Sequence, residues 1–209
     1  MRTALLATLA GAALLAASAA AWSQAPGRFY AGAAIGQSKM KDACASDPDT
    51  LVTNCDDKDT AWRIFGGYQF NRNFALELAY NDVGRAKGTV SFASGTSNFT
   101  GDVKIDVTAF ELSGVASLPF ANRFAGFGRL GLYYGEVHSR GSFTDQFGQR
   151  AVGSLSDTNV GLTFGLGASY DLTEKVTFRV EWQRFNDVGT NDIGKSDVDV
   201  LSVAGLYRF

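Results

Sequence analysis

Six ionisable residues, Arg63, Glu77, Glu111, Arg129, Arg179 and Glu181, each fall on the small or polar face of a segment whose opposite face is apolar. Three are cations and three are anions, so the set is neutral. Enclosed together they must pair or stay hydrated, because an unpaired buried charge is very costly. Such a set can hold an interior closed or gate it, but it contains no nucleophile. The only histidine, His138, lies in Gly135-Glu-Val-His-Ser139-Arg-Gly-Ser142. A deacylase on a membrane-facing wall needs a serine, a histidine base and an orienting acid on one face. Ser139 neighbours His138 in sequence, so on a strand it points the other way. Ser142 and Glu136 stand at a loop entry. The spacing argues against catalysis and makes His138 a polar residue at a strand end.

Cys44 and Cys55, the only cysteines, share one polar segment. In an exported chain a disulfide is the natural reading. Around them Asp42, Asp47, Asp49, Asp56, Asp57 and Asp59 follow no twelve-residue calcium-loop pattern, so a solvated loop is expected rather than a metal site. No cofactor is expected.

The elements that position these groups begin after a leader. In residues 1–25, Arg2 precedes the Ala/Leu run from Ala4 to Ala21, and small residues suited to cleavage follow at Ala19–Ala21 or Ser23–Ala25. This predicts a signal peptide, with either site open, and a second domain unit over 26–209. The alternative, a membrane anchor, fits poorly with so short and Ala-rich a run. Beyond it no stretch of about 20 apolar residues is available for a transmembrane helix. Mean hydropathy is −0.03 although 45% of residues are hydrophobic, as when only alternate residues meet lipid. Losing Arg2 with the leader takes the net charge from −2 to −3, and no basic stripe in the sequence points to nucleic acid.

Eight strands are expected near 28–37, 60–70, 74–84, 104–118, 124–138, 157–170, 175–186 and 197–209. Short turns at 71–73, 120–123 and 171–174 alternate with longer polar connections at 38–59, 85–103, 139–156 and 187–196. That rhythm describes an antiparallel up-and-down transmembrane β-barrel, all-β, with both termini on the periplasmic, short-turn side. The faces separate: Phe74, Leu76, Leu78 and Tyr80 oppose Ala75, Glu77 and Ala79, while Val176, Phe178, Val180 and Trp182 oppose Thr177, Arg179, Glu181 and Gln183. A soluble lipocalin-like barrel would instead turn its apolar face inward. Aromatics favour strand ends: Trp62 and Tyr134 towards the long connections, Tyr68, Phe74, Phe124, Tyr170 and Phe209 towards the short turns. Arg184, above Trp182 on the lipid-facing parity, is a rim residue within reach of lipopolysaccharide phosphate. The last segment, Leu201-Ser-Val-Ala-Gly-Leu-Tyr-Arg-Phe209, reads as the closing strand, with Leu201, Val203, Gly205, Tyr207 and Phe209 on one face.

The chain resembles the small OmpA-type outer-membrane β-barrel family. Phe29-Tyr30-Ala-Gly32, Gly66-Gly67-Tyr68-Gln-Phe70, Phe74-Ala-Leu-Glu77-Leu-Ala-Tyr80, Arg129-Leu-Gly131, Phe178-Arg179-Val-Glu181-Trp182 and Tyr207-Arg-Phe209 carry the likeness over nearly all of 28–209. It implies an eight-stranded barrel in the outer membrane, in contact with lipid and lipopolysaccharide. It also implies that Tyr207 and Phe209 act as an assembly signal for the barrel-assembly machinery. Larger members carry a peptidoglycan-binding domain after the barrel, and here a barrel without it is expected. In such barrels lumen ion pairs are associated with gating of a very narrow pore, and by resemblance Glu77 and Arg179 occupy the matching positions. Two readings therefore stand: a monomeric wall protein with a plugged lumen that displays its loops, and a narrow gated channel. Nothing in the loops names a partner.

Overall fold

The computed structural model describes residues 27–41, 44, 50–94, 97–145, 147, 149–190 and 194–209. The expected leader, 1–25, lies outside them. The strands are β1 (Arg28–Met40), β2 (Thr50–Asp56), β3 (Lys58–Gln69), β4 (Phe74–Ser94), β5 (Ser97–Ala121), β6 (Phe124–Asp145), β7 (Arg150–Asp171), β8 (Val176–Thr190) and β9 (Gly194–Arg208). From β3 to β9 each strand pairs antiparallel with the next in sequence, while β1 pairs with β3 and β9, and β2 pairs with β4. Eight of the nine close a ring through β4–β3–β1–β9–β8–β7–β6–β5 and back to β4. The seam between the first and last staves is completed by the Phe209 N–H, which donates to the Phe29 carbonyl at 3.0 Å.

The ninth strand arises where the sequence reading placed a loop. β3 pairs with β4 only from Trp62↔Asp82 downward, and β2 takes over the same β4 edge from Asp56↔Lys87 upward. The polar connections 85–103 and 139–156 are also mostly strand: β4 and β5 stay in register to Ser94↔Ser97, and β6 and β7 to Thr144↔Arg150. Outside the bilayer neither face of a sheet has to be apolar. The hydrophobic alternation fades there while the backbone ladder continues. Strands β2, β4, β5, β6 and β7 thus stand above the ring as an open sheet. β7 joins β8 only from Thr163↔Phe185.

The tight turns at the terminus end have a local cause. Asn71 Oδ1 accepts the amides of Asn73 and Phe74, each at 2.9 Å, and Thr173 Oγ1 accepts those of Lys175 and Val176 at 3.2 and 3.0 Å. These side chains imitate the turn's own backbone acceptor. At the opposite rim β4 carries a bulge between Asp82 and Gly84. Gly84 sits at φ +92°, where an added Cβ would lie 2.9 Å from the Asp59 Cβ. The bulge lets Val83 and Ala86 both face the interior.

Ile35, Leu78, Leu112, Leu130, Leu162, Leu166, Val180 and Val203 point outward and are each more than half exposed. A continuous apolar belt around a ring with charged side chains inside is the lipid face of a membrane barrel, which disposes of the soluble alternative. Trp62, Tyr80 and Phe110 form a run of ring contacts at 5.6 and 5.1 Å along its upper edge. Phe29–Tyr68–Phe70 and Phe120–Phe124–Tyr170 do the same along the lower edge.

Inside, an apolar zone of Tyr30, Ala34, Phe65, Ala79, Ala204 and Leu206 lies towards the termini. A larger one, including Val83, Val107, Tyr133, Val137, Phe185 and Val198, closes the upper half. Glycines make room for its largest ring: a Cβ on Gly161 would lie 2.5 Å from the Tyr133 ring. That ring is fixed by its hydroxyl, which donates to the Asn186 carbonyl at 2.6 Å. Gly161→Ala therefore forces the ring out of place and is expected to lower the urea midpoint of the refolded barrel by the equivalent of about 1–3 kcal/mol. An unchanged midpoint would mean that the upper zone is looser than its packing indicates.

Candidate functional site

The six ionisable residues come from five staves of the ring: Arg63 on β3, Glu77 on β4, Glu111 on β5, Arg129 on β6, and Arg179 and Glu181 on β8. Each strand offers them inward because its outward parity is apolar. All six are buried, and Glu77, Glu111 and Glu181 are at most 1% exposed.

Arg129 is the hub. Its Nη2 donates to Glu77 Oε2 at 2.6 Å, its Nη1 to Glu111 Oε1 at 3.1 Å and to Ser113 Oγ at 3.0 Å, and its Nε to Glu181 Oε1 at 2.6 Å. One guanidinium fork thus engages three carboxylates, which its planar set of five donors permits and a lysine's point charge would not. Arg179 Nη1 donates to the other oxygen of Glu77 at 2.5 Å, and Tyr30 OH donates to the same atom at 2.7 Å. Arg63 Nη2 donates to Glu181 Oε2 at 3.0 Å. Glu77 thus meets Arg179 as well as Arg129, and Glu111 meets Arg129.

Sequence reasoning set Gln183 on the inward face but did not count it, or Asn81 and Tyr30, with the charged layer. Gln183 accepts from Arg63 at 3.1 Å and donates to Glu111 and to Thr163 Oγ1, both at 2.9 Å. Asn81 donates to Glu111 at 3.2 Å. Both continue the inward parity of Glu77 and Glu181, and counting in twos one step past Ala79 would have added Asn81. Tyr30 was hidden by its aromatic type. Arg179 is further enclosed by the rings of Phe127, Tyr30 and Phe65, with its guanidinium carbon 5.1–5.9 Å from their centroids. Arg63 Nε is a fully buried nitrogen of the layer without a hydrogen-bond acceptor, and Arg63 borders a pocket of about 20 Å³, room for a single water.

The two ends of the lumen differ. From the terminus side a funnel of about 690 Å³, lined among others by Arg28, Arg72, Arg123 and Arg208, reaches up to Tyr30 and Arg179. Above the charged layer the Tyr133 and Phe185 rings meet edge to face at 5.4 Å and the surrounding valines fill the bore.

The remaining candidates lie outside the lumen. Cys44 and Cys55 form a disulfide, with Cα atoms 5.7 Å apart, tying the end of β1 to β2. Asp57 faces Lys39 at 3.8 Å and Asp59 faces Arg85 at 3.6 Å, while Asp42, Asp47 and Asp49 lie outside the described residues. Among the described residues no group of three His, Cys, Asp or Glu side chains is arranged to hold a metal. Closing a loop with a separation of 11 residues corresponds to about 3 kcal/mol in the chain-entropy model. Because β2 pairs only with the upper part of β4, the Cys44→Ser/Cys55→Ser variant is expected to be cleaved faster by protease between positions 44 and 55. The urea midpoint of the ring stays where it was.

Arg184 is not a free rim cation. The β8–β9 register sets it opposite Asp199, which accepts from Nε at 2.6 Å and Nη2 at 2.9 Å, and its guanidinium lies 5.2 Å from the Trp182 ring centroid. His138 Nε2 faces Glu136 Oε1 at 3.4 Å, and no serine hydroxyl among the described residues hydrogen-bonds to it. Tyr207 and Phe209 both face outward at the lower rim, their rings 5.4 Å apart.

A ring of eight staves with a polar layer inside and an aromatic-edged belt outside has known counterparts. Residues 24–209 match the OmpA-like transmembrane domain. The chain belongs to that family. It is 29% identical over 188 residues to outer membrane protein A of Yersinia pseudotuberculosis, a match covering 87% of this chain and 48% of the relative. It is 35% identical over 91 residues to outer membrane protein P5 of Haemophilus influenzae, covering 42% and 25%. The chain spans about half the length of the first of these. Neisserial surface protein A superposes with a TM-score of 0.56 at 16% identity, over 88% of this chain and all of that one. This OmpA-like protein is thus an outer-membrane β-barrel.

Proposed function

We propose that this OmpA-like barrel is a plugged wall element of the outer membrane whose role is to hold the open sheet and the disulfide-bonded loop outside the cell. The observation that carries this is the stacking of two unlike seals: the layer around Arg129, and above it the dry zone around Tyr133 and Phe185. A bore of eight strands is narrow enough to be filled by its own side chains. Ions that reach Arg179 through the lower funnel meet first a set of satisfied charges and then a zone with nothing to coordinate them. The barrel works as a monomer, reaches the outer membrane after removal of its N-terminal leader, and offers Tyr207 and Phe209 to the barrel-assembly machinery. Lipid and lipopolysaccharide are its surroundings, and nucleic acid is no partner.

The second reading, a narrow gated pore, is favoured by the pairing of Glu77 with both Arg129 and Arg179. An alternative pairing among these three could shift the layer. Single-channel recording of the refolded barrel in planar bilayers separates the two. Silence from wild type and from Glu77→Ala, with folding shown by heat-modifiable gel migration, is the result expected of the plug. Discrete openings that Glu77→Ala enlarges would make the protein a channel.

A further inference from the structure

On the outward face of the open sheet three cations stand side by side. The register sets Lys87 of β4 directly opposite Lys104 of β5, and Lys104 directly opposite Arg140 of β6. Adjacent strands are about 4.8 Å apart, so the three backbones span about 10 Å. All three side chains are exposed. Like charges directly opposite one another are destabilising, and none of the nearby carboxylates makes an ion pair with the three. Asp106, in the next row, faces Arg85 at 3.4 Å, Asp102 accepts from Thr89 Oγ1 at 3.0 Å, and Asp56, across from Lys87, accepts the Lys58 amide at 3.2 Å. Among the described residues no carboxylate lies within ion-pair distance of the three. Asp56 ends the row beside Lys87, turned to the Lys58 amide, so the row holds three positive charges against one negative, without an ion-pair contact.

Its height is set by the strand. Tyr134 marks the upper aromatic edge, opposite Phe110, and Arg140 follows six residues further along β6. At about 3.3 Å per residue and a tilt near 40°, that places the row roughly 15 Å above the girdle. This is beyond the acyl region and among the sugars of the outer leaflet. Ser154, opposite Arg140 on β7, adds a hydroxyl to the row.

We infer that Lys87, Lys104 and Arg140 form a docking row for the phosphate groups on the core saccharide of lipopolysaccharide. Three aligned cations suit phosphorylated sugars held at a fixed height, and the ligand removes the repulsion that the bare row carries. The row anchors the open sheet against the surrounding saccharide.

The test uses the refolded full barrel in zwitterionic micelles and rough lipopolysaccharide bearing a phosphorylated inner core, titrated at several salt concentrations. Lys87→Gln/Lys104→Gln/Arg140→Gln is expected to bind at least tenfold more weakly, with a shallower salt dependence. Lys104→Gln alone falls between, and Arg85→Gln matches wild type. Wild type binds dephosphorylated lipopolysaccharide as weakly as the triple variant binds the phosphorylated form. With lipid A lacking the core, wild type and triple variant are alike, which separates core phosphates from those of the lipid. Unchanged heat-modifiable migration and a midpoint in lipopolysaccharide-free micelles no lower than wild type show that the variants fold. Equal affinity and salt slope for wild type and triple variant would overturn the proposal. So would equal loss in Arg85→Gln, or tighter binding of a sulfated polysaccharide than of phosphorylated lipopolysaccharide.

Discussion

Arg129→Met lowers the unfolding free energy of the refolded barrel by about 3–5 kcal/mol, the cost of leaving buried charge without its partner. The substitution keeps the length of the side chain and removes the cation at which Glu77, Glu111 and Glu181 converge. Those three carboxylates are at most 1% exposed and cannot turn to water. Glu77 keeps Arg179 and Glu181 keeps Arg63, but Glu111 is left with only the neutral amides of Asn81 and Gln183. The layer changes from neutral to a net charge of −1. Arg63→Met gives the same net charge, yet each carboxylate retains a contact with Arg129, so its loss should be less than half as large. Urea titration in lipid vesicles measures both. A drop below about 1 kcal/mol for Arg129→Met would mean that water or a rearranged pairing replaces the hub, and the layer would then be a soft one.

The bore opens only when both seals are broken. Glu77→Ala by itself removes one acceptor of the layer and leaves Tyr133, Phe185 and the valines above it in place. Tyr133→Ala by itself opens the dry zone onto an intact set of ion pairs. Combining the two is expected to turn a silent barrel into one with discrete conductance steps in a planar bilayer, at an occurrence well above the sum of the single variants. The coupling follows from two barriers in series along one path, where the remaining seal controls flux. Conductance in Glu77→Ala alone, equal to that of the double variant, would show that the apolar zone is no barrier and would favour the gated pore.

The membrane-spanning part was legible in the chain because the physics there is local. A strand crossing lipid must present an apolar residue at every second position, so the inward set that includes Glu77, Glu111, Arg179 and Glu181 can be read by counting in twos. Turn positions were equally local, as the Asn71 and Thr173 side-chain bonds illustrate. The sheet above the ring was not legible. Residues 85–103 and 139–156 carry turn-formers and hydroxyls, and in water their strand state rests on backbone pairing with a partner strand rather than on a pattern of their own.

The sequence by itself determined the class of solution: an exported antiparallel barrel, apolar outside, neutral in its interior charge. Parity and total charge are properties of the chain alone. The tertiary structure decided who meets whom. That Arg129 rather than Arg179 joins all three glutamates depends on how far each strand is staggered against the next, and stagger is set by many ladder bonds and bulges together. The same stagger hides Arg184 behind Asp199 and sets Lys87, Lys104 and Arg140 side by side in one row without an ion-pair partner. Positions 36 and 53 residues apart in the chain cannot announce such adjacency, because only the closed ring with its long hairpins brings them to one level.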